Sequence, residues 1–577
     1  MFQPTLRLNR EAVVESSAFC KAIEFALRQG ARTVLCIAAF GGLTALAPAA
    51  ILPPAVVADV PHGLGMHDLG RSPGVQVRLA LVMSYRNRRQ LDAFLNAPPG
   101  ARSAASSRVL SAEAFRASFS PTPETYARTV ALLQRAGFTV THSFANRTVI
   151  DAGAPAAVVE RYFHTEIHRV AIDGLGVRYA NARTAYLPEE LRGAVYAVVG
   201  FDDIEKYRTL AHEAPAGSVD ALMPTVIGPP LTGPKGGYGP LAFAQGYDLP
   251  VQHGYDGSGH RAGITIDSDP QDSDLNRFLA EYKITRTGST SRIAVDGGPT
   301  NPPGLEATLD YETIAGLAPG AHIDIFEIPA LDDQYIIDAY NAAVSDNLDA
   351  TINSSFAGCE SSDVAGAKAM SAIFEQGRAQ GQTFHAATGD SGTKTGCAGP
   401  TVNAPASSPY DVAVGGTELT TDANGNWQGE SYWDDGPNSA GGGGVSIVFG
   451  APLYQKDNGI HYSGRALPDL SFNAGYGESV VYNGKWESVG GTSLASPIFG
   501  ACLVDLVSEF NERPSVPISL TLYSSWYLLG YQSGNTVIAH DITTGKPYGD
   551  LKPAVGYDLA TGIGSLDCYN SGTFYFY

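Results

Sequence analysis

The pattern of hydrophobic and polar positions divides the chain into two parts with different periodicities. Residues 75–200 alternate strand-like runs with short amphipathic helices, which predicts a small antiparallel sheet covered by helices. From residue 261 onward, short apolar runs alternate with helical patterns, which predicts a mostly parallel α/β sheet with functional groups at its strand ends. In this second part the strand candidates span residues 262–266, 322–328, 350–353 and 383–386, and the helix candidates span residues 276–282, 335–345 and 362–380.

Two further segments lack this periodicity. Residues 205–240 are rich in proline, glycine and alanine, so they are interpreted as a linker. Near the start, Arg28 and Arg32 precede an apolar stretch over residues 33–52, as in a signal peptide with a long N-terminal region. An uncleaved membrane anchor is the alternative, because the stretch approaches the roughly 20 residues that span a bilayer.

We therefore assign residues 1–58 to membrane targeting and expect the protein to be exported. A cleaved segment implies a secreted, extracellular protein, and an uncleaved one implies a periplasmic or anchored protein. No later segment looks apolar for long enough to span, so contact with a membrane is expected only through this segment.

The net charge is unevenly distributed along the 577 residues. Residues 61–210 carry 18 Lys and Arg against 13 Asp and Glu, a net charge of +5, whereas residues 211–577 carry 15 against 41, a net charge of −26. Opposite charges predict that the two parts attract each other. The acidic part would repel phosphates, which argues against nucleic acid as a partner. The length and the hydrophobic content of 44% are typical of a globular protein with two or three domains.

Four cysteines lie beyond the targeting segment. In an exported protein Cys359 and Cys397 could form a disulfide around a loop-rich region. Pairing of Cys502 with Cys568 is open, since the sequence does not establish it. The four lack the close-spaced pairs of a zinc site, so metal binding by cysteine is the weaker interpretation.

A candidate nucleophile lies in residues 489–497, which read Val-Gly-Gly-Thr-Ser-Leu-Ala-Ser-Pro. The glycines allow a sharp turn from a strand into a helix, and proline is tolerated in the first helical turn. Ser493 would then lie near a helix N-terminus, where free N–H groups and the helix dipole favour a developing negative charge. This environment is typical of a nucleophile, and it raises the question of which base activates the serine.

A serine hydrolase ordinarily uses a histidine as its base. The second part of the chain holds several histidines, but none stands in a His-Gly-Thr context near a helix start. His385 and the run Gly-Asp-Ser-Gly at 389–392 are superficially similar to chymotrypsin-like motifs, but the spacing is short and Thr393 follows instead of a glycine. A histidine base is therefore the weaker hypothesis.

Two carboxylates offer another base. Glu306 and Asp310 are spaced i, i+4, which places both on one face of a helix. They are either a solvated acidic face or a pair that shares a proton, with one pKa raised. Such a pair could deprotonate Ser493 in acid, where an imidazole is already charged. Asp390, when protonated, could donate a hydrogen bond to a tetrahedral oxyanion.

Taken together, these motifs closely resemble the sedolisins, or serine–carboxyl peptidases. Residues 491–497 match the family's Gly-Thr-Ser-x-x-x-Pro, residues 306–310 match its Glu-x-x-x-Asp, and residues 388–390 match its Ser-Gly-Asp-type strand end as Thr-Gly-Asp. Residues 465–471, Arg-Ala-Leu-Pro-Asp-Leu-Ser, also resemble the strand that leads toward the serine. The resemblance covers about residues 75–577 and includes motif order and spacing.

The resemblance implies a subtilisin-like α/β catalytic domain with a parallel sheet, preceded by an α+β prodomain with an antiparallel sheet. Residues 75–204 would be the inhibitory prodomain, residues 205–240 a linker that contains the processing site, and residues 241–577 the peptidase domain. The protein would be a monomeric, self-processing zymogen that is inhibited by its own prodomain. The charge difference suggests that acid loosens the prodomain as carboxylates protonate.

The resemblance also assigns roles to four residues. Ser493 would be the nucleophile and Glu306 the general base and acid. Asp310 would orient Glu306 and couple to its proton, and Asp390 would line the oxyanion hole with the Ser493 backbone N–H. The implied activity is hydrolysis of protein or peptide substrates in acid, by an endopeptidase or a tripeptidyl peptidase.

A structural calcium ion is implied near the C-terminus. Calcium prefers carboxylate and carbonyl oxygens, which two aspartates beside a glycine-rich loop can supply. The alternative is a polar surface turn. The family places one Ca²⁺ here, with the expected ligands Asp541, Asp558 and the carbonyls of Ile542, Ala554 and Gly556.

The chain also departs from the family pattern. The usual Ser-Trp-Gly of the substrate-lining strand appears as Ser355-Phe356-Ala357, which retains a flat aromatic side chain but loses the indole. Asp267 is a candidate for an additional carboxylate that extends the proton network in some members. A subtilisin-type enzyme with a histidine base and a secreted binding protein without catalysis are the two alternatives.

Overall fold

The computed structural model describes residues 55–61, 65–96, 109–174, 176–214, 231–394, 401–436, 439–511, 532–533 and 536–575. Most of the targeting segment and Cys397 lie outside these described residues. Of that segment's final residues, Val56–Ala58 form a strand that pairs with Ala185–Tyr186. The folded prodomain therefore begins ahead of the expected boundary at residue 75.

The prodomain consists of nine strands and four α-helices within its described residues. In chain order they are β1 (Val56–Ala58), β2 (Met66–Arg71), β3 (Gln76–Met83), α1 (Arg88–Leu95), α2 (Ala112–Ser118), α3 (Pro123–Ala136), β4 (Thr139–Ser143), β5 (Val149–Pro155), α4 (Ala156–Phe163), β6 (Ile167–Ile172), β7 (Gly176–Asn181), β8 (Ala185–Tyr186) and β9 (Val195–Val199).

The prodomain core is a four-stranded antiparallel sheet in the order β4-β5-β3-β9, with the β2-β6-β7 sheet beside it. Local sequence sets its helix ends. The side chain of Thr122 caps α3 by accepting a hydrogen bond from the Thr125 N–H, and Gly137 ends the helix at a φ of 104°. A threonine cap and a C-terminal glycine in the left-handed region are standard helix signals, which is why this helix is readable from sequence.

Two short strands follow in the linker, β10 (Arg208–Thr209) and β11 (His212–Glu213). The catalytic domain then contains α5 (Pro240–Gly246), β12 (Arg261–Ile266), α6 (Asp272–Tyr282), β13 (Thr290–Ala294), α7 (Leu305–Leu317), β14 (His322–Glu327), α8 (Asp333–Asp346), β15 (Thr351–Ser354), β16 (Phe356–Cys359), α9 (Val364–Ala379), β17 (Thr383–Ala387), β18 (Asn403–Ala404), β19 (Asp411–Thr421), β20 (Trp427–Tyr432), β21 (Asp434–Gly436), β22 (Ser439–Ala440) and β23 (Gly444–Gly450).

The remaining elements complete this domain. They are α10 (Leu453–Lys456), β24 (Gly464–Leu467), β25 (Leu470–Asn473), β26 (Glu478–Tyr482), β27 (Lys485–Gly490), α11 (Thr492–Phe510), β28 (Gln532–Ser533), β29 (Thr536–Val537), β30 (Ala539–His540), β31 (Ser565–Leu566) and α12 (Cys568–Tyr575).

The central sheet of this domain has eight strands in the order β13-β14-β12-β15-β17-β19-β20, with β25 also paired to β19. All pairs are parallel except β19 with β20. After β12 the chain forms β13 and β14 on one side of that strand, and then β15 and β17 on its other side. Because the strand order reverses at β12, a crevice forms beside it at the carboxyl ends of the strands. The predicted fold class, a parallel-sheet α/β domain after an antiparallel α+β prodomain, is confirmed.

Helix α11 crosses the core behind the sheet. Within the described residues it is the one helix long and apolar enough to cross a membrane by length and composition, and 83% of its apolar window is buried inside the protein. The expectation that no later segment reaches such a length was therefore wrong. Its burial against α7 and the sheet makes it a core helix that carries residue 493 at its first turn.

The prodomain packs on α8 and α9 through a shared hydrophobic cluster and through polar contacts. Arg88 forms a two-pronged ion pair with the buried Glu375, each N···O distance being 2.5 Å. Asn146 donates to Asn341 Oδ1 at 2.7 Å, and the Thr148 hydroxyl donates to the same oxygen at 2.8 Å. Asn146 begins an Asn-Arg-Thr glycosylation motif, but its side chain is buried in this contact and closed to modification in the docked chain.

A disulfide joins Cys502 in α11 to Cys568 at the start of α12, with a Cα–Cα distance of 6.0 Å. The pairing left open by the sequence is therefore present. It fixes the C-terminal segment to the helix that carries Ser493. The other suggested pairing involves Cys397, which lies outside the described residues.

Candidate active site

Helix α7 places two carboxylates in the crevice. Glu306 and Asp310 lie in its first two turns, and the solvent-exposed fractions of the two residues are 3% and 0%. All residues from 306 to 317 are buried, because the helix passes between α11, α6 and the sheet. The solvated acidic face that the sequence left open is thereby excluded.

Residue 493 enters the same crevice from the opposite side. β27 ends at Gly490, Gly491 adopts a φ of 113°, and α11 begins at Thr492. A Cβ at residue 491 would lie 2.5 Å from Asp390 Oδ2, so both the backbone angle and the space require glycine. The predicted tight turn from strand to helix is present, and Ser493 is in the first helical turn.

Hydrogen bonds connect the serine to the acids. The Ser493 hydroxyl donates to Glu306 Oε2 at 2.9 Å. On the next turn, Asp310 Oδ1 accepts a 2.6 Å hydrogen bond from Ser355, which itself accepts one from the Asn353 amide at 2.9 Å. Ser355 and Asn353 fix the orientation of Asp310, a role that the sequence did not indicate because the partners lie far apart along the chain.

The two acids are buried together and are electrostatically coupled. Glu306 Oε1 and Asp310 Oδ2 are buried oxygens without a hydrogen-bond partner from the described residues. Burial and the neighbouring Asp310 raise the pKa of Glu306 well above its usual value, and burial also raises the pKa of Asp310 to about 8. Since neither group ionises easily beside the other, the two acids hold their protons in acid and titrate as a coupled pair.

Asp390 lies on the other side of Ser493, after the end of β17. Its Oδ1 accepts hydrogen bonds from the Thr492 backbone N–H at 2.8 Å and from the Thr492 hydroxyl at 2.6 Å. Its Oδ2 faces the crevice. The position agrees with a group that could donate to an oxygen held beside the Ser493 backbone N–H.

The nearby histidines are not placed as a base. His385 lies in β17 and is buried, with Nδ1 3.0 Å from the hydroxyl of Ser496 in α11, and burial lowers its pKa to about 3. His212 of the linker faces Asp390 at 3.4 Å. Among the described residues, the Ser493 hydroxyl bonds Glu306 and the Ser355 carbonyl, so an imidazole base is not supported.

The linker crosses this site in an extended conformation. β10 pairs antiparallel with β16, and β11 pairs antiparallel with β27, on either side of the serine. Between them, the backbone N–H groups of Leu210 and Ala211 both donate to Glu306 Oε2 at 2.6 Å. The sequence identified this region only as a linker, because its partners come from distant strands.

The two ends of the Leu210–Ala211 peptide bond lie on opposite sides of the site. The Leu210 carbonyl oxygen lies on the Asp390 side. It is 3.2 Å from His212 Nδ1 and would be 2.9 Å from a Cβ added at Gly491. The Ala211 nitrogen lies on the Glu306 side, where it donates to Glu306 Oε2.

The other residues predicted near the site have separate positions. Phe356 is buried and packs edge-on against Tyr207 of the linker, with ring centroids 6.1 Å apart. Arg465 forms a buried double ion pair with Asp469, which supports β25. Asp267 accepts a hydrogen bond from the Asn301 amide at 2.8 Å and is not among the contacts of the acid pair.

The expected calcium ligands lie on one C-terminal loop. Asp541 accepts a hydrogen bond from the Gly556 N–H at 3.1 Å, and Asp558 accepts one from the Ala554 N–H at 2.7 Å. Both carboxylates therefore border the five-residue loop that holds two of the expected carbonyls. Aspartate carboxylates and backbone carbonyls are the ligand types that a hard cation prefers, and the calcium site stays a prediction.

The fold and this cluster together define a class of protein: a serine peptidase of subtilisin-like architecture in which carboxylates surround the nucleophile. Comparison with known proteins gives the same class. The Pro-kumamolisin activation domain family matches residues 68–204, and the Subtilase family matches residues 291–525.

The similarity extends over most of the chain. Xanthomonalisin from Xanthomonas sp. (strain T-22) is 32% identical over 86% of this chain, which spans 65% of the length of that relative. Sedolisin from Pseudomonas sp. (strain 101) is 30% identical, with 86% of each chain covered. A solved structure of Pseudomonas sedolisin complexed with two molecules of pseudo-iodotyrostatin matches with a TM-score of 0.53 at 30% identity, covering 59% of this chain and 97% of that one. The chain belongs to the sedolisin family of serine peptidases.

Proposed function

We propose that this protein is an exported serine–carboxyl endopeptidase that acts in acid and is made as a self-processing zymogen. The observation that carries the proposal is the single oxygen Glu306 Oε2, which accepts hydrogen bonds from the Ser493 hydroxyl and from the Ala211 amide nitrogen. A general base must reach the nucleophile's proton, and a general acid must reach the leaving nitrogen. Glu306 Oε2 is within hydrogen-bond distance of both the Ser493 hydroxyl and the Ala211 nitrogen.

The reaction follows from these positions. Glu306 takes the proton of the Ser493 hydroxyl as its oxygen attacks the substrate carbonyl, and the proton shared with Asp310 stabilises the changing charge. The Ser493 N–H and the carboxyl group of Asp390 hydrogen-bond the oxyanion. Glu306 then gives the proton to the leaving amine as the C–N bond breaks. Water repeats the sequence on the acyl-enzyme and releases the carboxylic acid.

Acidic operation follows from the choice of base. An imidazole with an ordinary pKa is protonated in acid and cannot accept the serine proton. We propose that the working enzyme holds one shared proton on the carboxyl pair, which leaves one oxygen of the pair basic there. Above the raised pKa values of Glu306 and Asp310 the pair loses that shared proton, so activity should decline as the pH rises.

The linker favours endopeptidase action over tripeptidyl-peptidase action. N-terminal to Leu210 the chain continues in the cleft through Arg208 to Lys206, in contact with β16 and the helices beside it. A chain longer than three residues therefore fits on this side of the reacting bond. A tripeptidyl peptidase requires a boundary after the third residue, and the described residues place none there.

The same geometry suggests the processing bond. The carbonyl of Leu210 and the nitrogen of Ala211 face the groups that would react with them, so we assign self-cleavage to the Leu210–Ala211 bond. The cut falls within the linker over residues 205–240. It separates the prodomain from the catalytic domain and leaves Ala211 at the new N-terminus.

Calcium and export complete the proposal. Asp541, Asp558 and the carbonyls of residues 542, 554 and 556 would hold one Ca²⁺, which would supply charge compensation that stabilises the C-terminal loop. Export is supported by the targeting pattern before residue 58 and by the disulfide between Cys502 and Cys568, which needs an oxidising compartment.

One experiment tests the central proposal. The purified precursor and its Glu306→Gln variant are incubated at about pH 4 and about pH 8 with a protein substrate, and mass spectrometry follows both chain and substrate. We expect wild type to form a species that begins at Ala211 and to cleave substrate only in acid. Activity at about pH 8 that survives Glu306→Gln would support a histidine enzyme, and no cleavage under either condition would support a binding protein.

A further inference from the structure

A pocket at the N-terminal end of the cleft holds the side chains of two linker residues. Lys206 is largely buried, and its Nζ is 2.7 Å from Asp333 Oδ2, 3.3 Å from Asp363 Oδ1 and 3.1 Å from Asp202 Oδ2. The Tyr207 hydroxyl donates to Asp363 Oδ2 at 2.7 Å. Asp333 and Asp363 belong to the catalytic domain, whereas Asp202 belongs to the prodomain side.

The two catalytic-domain aspartates are built into helix ends. Asp333 is the first residue of α8, and Asp363 caps α9 by accepting a 3.1 Å hydrogen bond from the Gly366 N–H. Both are at least nine-tenths buried, and Asp333 Oδ1 has no hydrogen-bond partner among the described residues. Helix N-termini favour negative charge, and the two helices hold these side chains toward the linker.

The linker backbone reaches this pocket as a continuation of β10. Arg208 and Thr209 pair with Ala357 and Phe356, so Tyr207 and Lys206 follow in the same extended direction. A Cβ at Gly358 would lie 2.7 Å from the Lys206 carbonyl oxygen. Glycine at this position lets a peptide backbone approach β16 closely, which suits a surface that receives extended chains.

Separation of the prodomain removes the cation from the pocket. Lys206 and Asp202 leave with the prodomain, but Asp333 and Asp363 remain. Removing one partner of a buried ion pair is costly because the remaining charge is left uncompensated. The vacated pocket is therefore favourable for another cation that arrives on an extended chain.

The charge of the pocket persists in acid. Burial alone would raise the pKa of Asp363, but Lys206 and hydrogen bonds from Asp333 and Tyr207 hold it below its usual value. Burial and Asp363 raise the pKa of Asp333 well above its usual value. The two carboxyls thus retain one proton and one negative charge when a cation is bound.

We propose that Asp333 and Asp363 form an extended substrate subsite of the mature enzyme, which takes a lysine or arginine five residues before the cleaved bond. The site beside Phe356 that Tyr207 occupies takes an aromatic side chain four residues before the cleaved bond. This subsite rests on the proposed peptidase function and on Leu210 being the residue before the cut. The enzyme would then prefer substrates with a basic side chain that lies far from the reacting bond.

The test uses acid-matured enzyme and peptides with the linker sequence Lys-Tyr-Arg-Thr-Leu-Ala-His-Glu. Companion peptides carry alanine or glutamate in place of the lysine. We expect kcat/KM to fall about tenfold or more with alanine and further with glutamate, because a buried charge pair is lost. Replacing the tyrosine with alanine should lower kcat/KM as well.

Enzyme variants assign the effect to the two aspartates. In the enzyme with both Asp333→Asn and Asp363→Asn, the ratio of kcat/KM for the lysine peptide to that for the alanine peptide should fall close to one. Asparagine retains the α9 cap without the charge. Asp346→Asn, at the far end of α8 and exposed, is the matched control and should retain the preference. Acid maturation of each variant to the same mass verifies its folding.

The outcomes separate this subsite from the parent proposal. Equal cleavage of the lysine and alanine peptides, or a preference unchanged in the double variant, would overturn the subsite and leave the peptidase function standing. Cleavage of none of the peptides by wild type, with the precursor left intact in acid, would instead overturn the proposed function and the subsite with it.

Discussion

The backbone N–H of Ala211 donates a 2.6 Å hydrogen bond to Glu306 Oε2. The enzyme's own chain thereby presents an amide nitrogen to the oxygen that also accepts from the Ser493 hydroxyl. In the proposed mechanism this oxygen meets both the nucleophile's proton and the leaving nitrogen, so small changes in the acids should have large effects on both self-cleavage and catalysis.

The first prediction concerns the acid pair. Glu306→Gln should lower self-cleavage and kcat by about 10³-fold or more, and Asp310→Asn by about 10²-fold, because Glu306 transfers the proton and Asp310 only assists. Conversion of the precursor in acid, followed by gel and mass analysis, measures both. Glu281→Gln, which changes an exposed carboxyl near the end of α6, serves as the control. A Glu306→Gln enzyme that retains most of its activity would contradict the mechanism.

The second prediction separates the roles of Asp390. Asp390→Ala should lower kcat by about 10²–10³-fold through loss of an oxyanion donor. Asp390→Asn retains a neutral hydrogen-bond donor, so it should retain more activity than Asp390→Ala. The measurement is kcat for both variants. Equal losses in the two variants would assign Asp390 a structural role at Thr492 only.

The third prediction concerns a carboxyl cluster between the prodomain and the catalytic domain. Burial and Asp296 raise the pKa of Asp151 to about 7, despite Arg78, and burial with Asp151 and Asp296 raises the pKa of Asp338 well above its usual value. Because a raised pKa in the docked state means proton uptake on docking, this cluster strengthens docking in acid and weakens it as the pH rises toward 7. It opposes the expectation that acid loosens the prodomain.

The measurement is hydrogen exchange of the prodomain in an inactive Ser493→Ala precursor at about pH 4 and about pH 7. Asp151→Asn should increase the protection of the prodomain from hydrogen exchange at the higher pH. It should therefore reduce the difference in protection between the two pH values. Asp173→Asn, an exposed aspartate of the same domain, is the control. Prodomain protection that increases with pH in the chain with Asp151 intact would show that ion pairs such as Arg88–Glu375 dominate instead.

The fourth prediction concerns stability. Glu478 is buried beside Thr313, and burial raises its pKa to about 8 from 4.5. A carboxyl with a raised folded-state pKa destabilises the fold as the pH rises from its unfolded value to its folded one, so stability should be greatest in acid. Glu478→Gln should raise the free energy of unfolding at about pH 8 by up to a few kcal/mol and change it little at about pH 4. Thermal unfolding of the Ser493→Ala precursor measures this, with the exposed Glu281→Gln as control.

The fifth prediction concerns calcium. Added Ca²⁺ should raise the Tm of the protein in a concentration-dependent way, and chelation should lower it, because binding to the folded state alone stabilises it. Asp541→Asn together with Asp558→Asn should remove the response, whereas Asp550→Asn on the exposed part of the same region should not. A Tm that is insensitive to calcium in the wild type would refute the site.

The sequence predicted the interior of the fold better than its edges. The central strands β12, β15 and β17 are short segments that are buried along almost their whole length, as expected for parallel strands covered on both faces. The edge strand β13 was missed, because its residues Thr290–Ala294 are mostly polar and half-exposed and resemble a loop. Such a strand is defined by pairing with β14, which local pattern does not encode.

The same distinction applies to the site. Glu306 and Asp310 were identifiable because their spacing is local, and Ser493 because its turn has a characteristic glycine and proline context. The roles of Ser355 and of the linker residues were not identified. Ser355 acquires its role from Asp310, 45 residues away, and Ala211 from Glu306, 95 residues away. Long-range partners leave no periodic trace in a single sequence.

The antiparallel pairing of the linker with β16 has a consequence for the timing of activation. Cutting after Leu210 would create a new chain end that is still held by β16, by Lys206 and by the docked prodomain, so the first product would be a nicked but obstructed enzyme. Peptidase activity would then appear later than the break in the chain. The delay would be set by how fast the severed fragment departs or is digested by a neighbouring molecule.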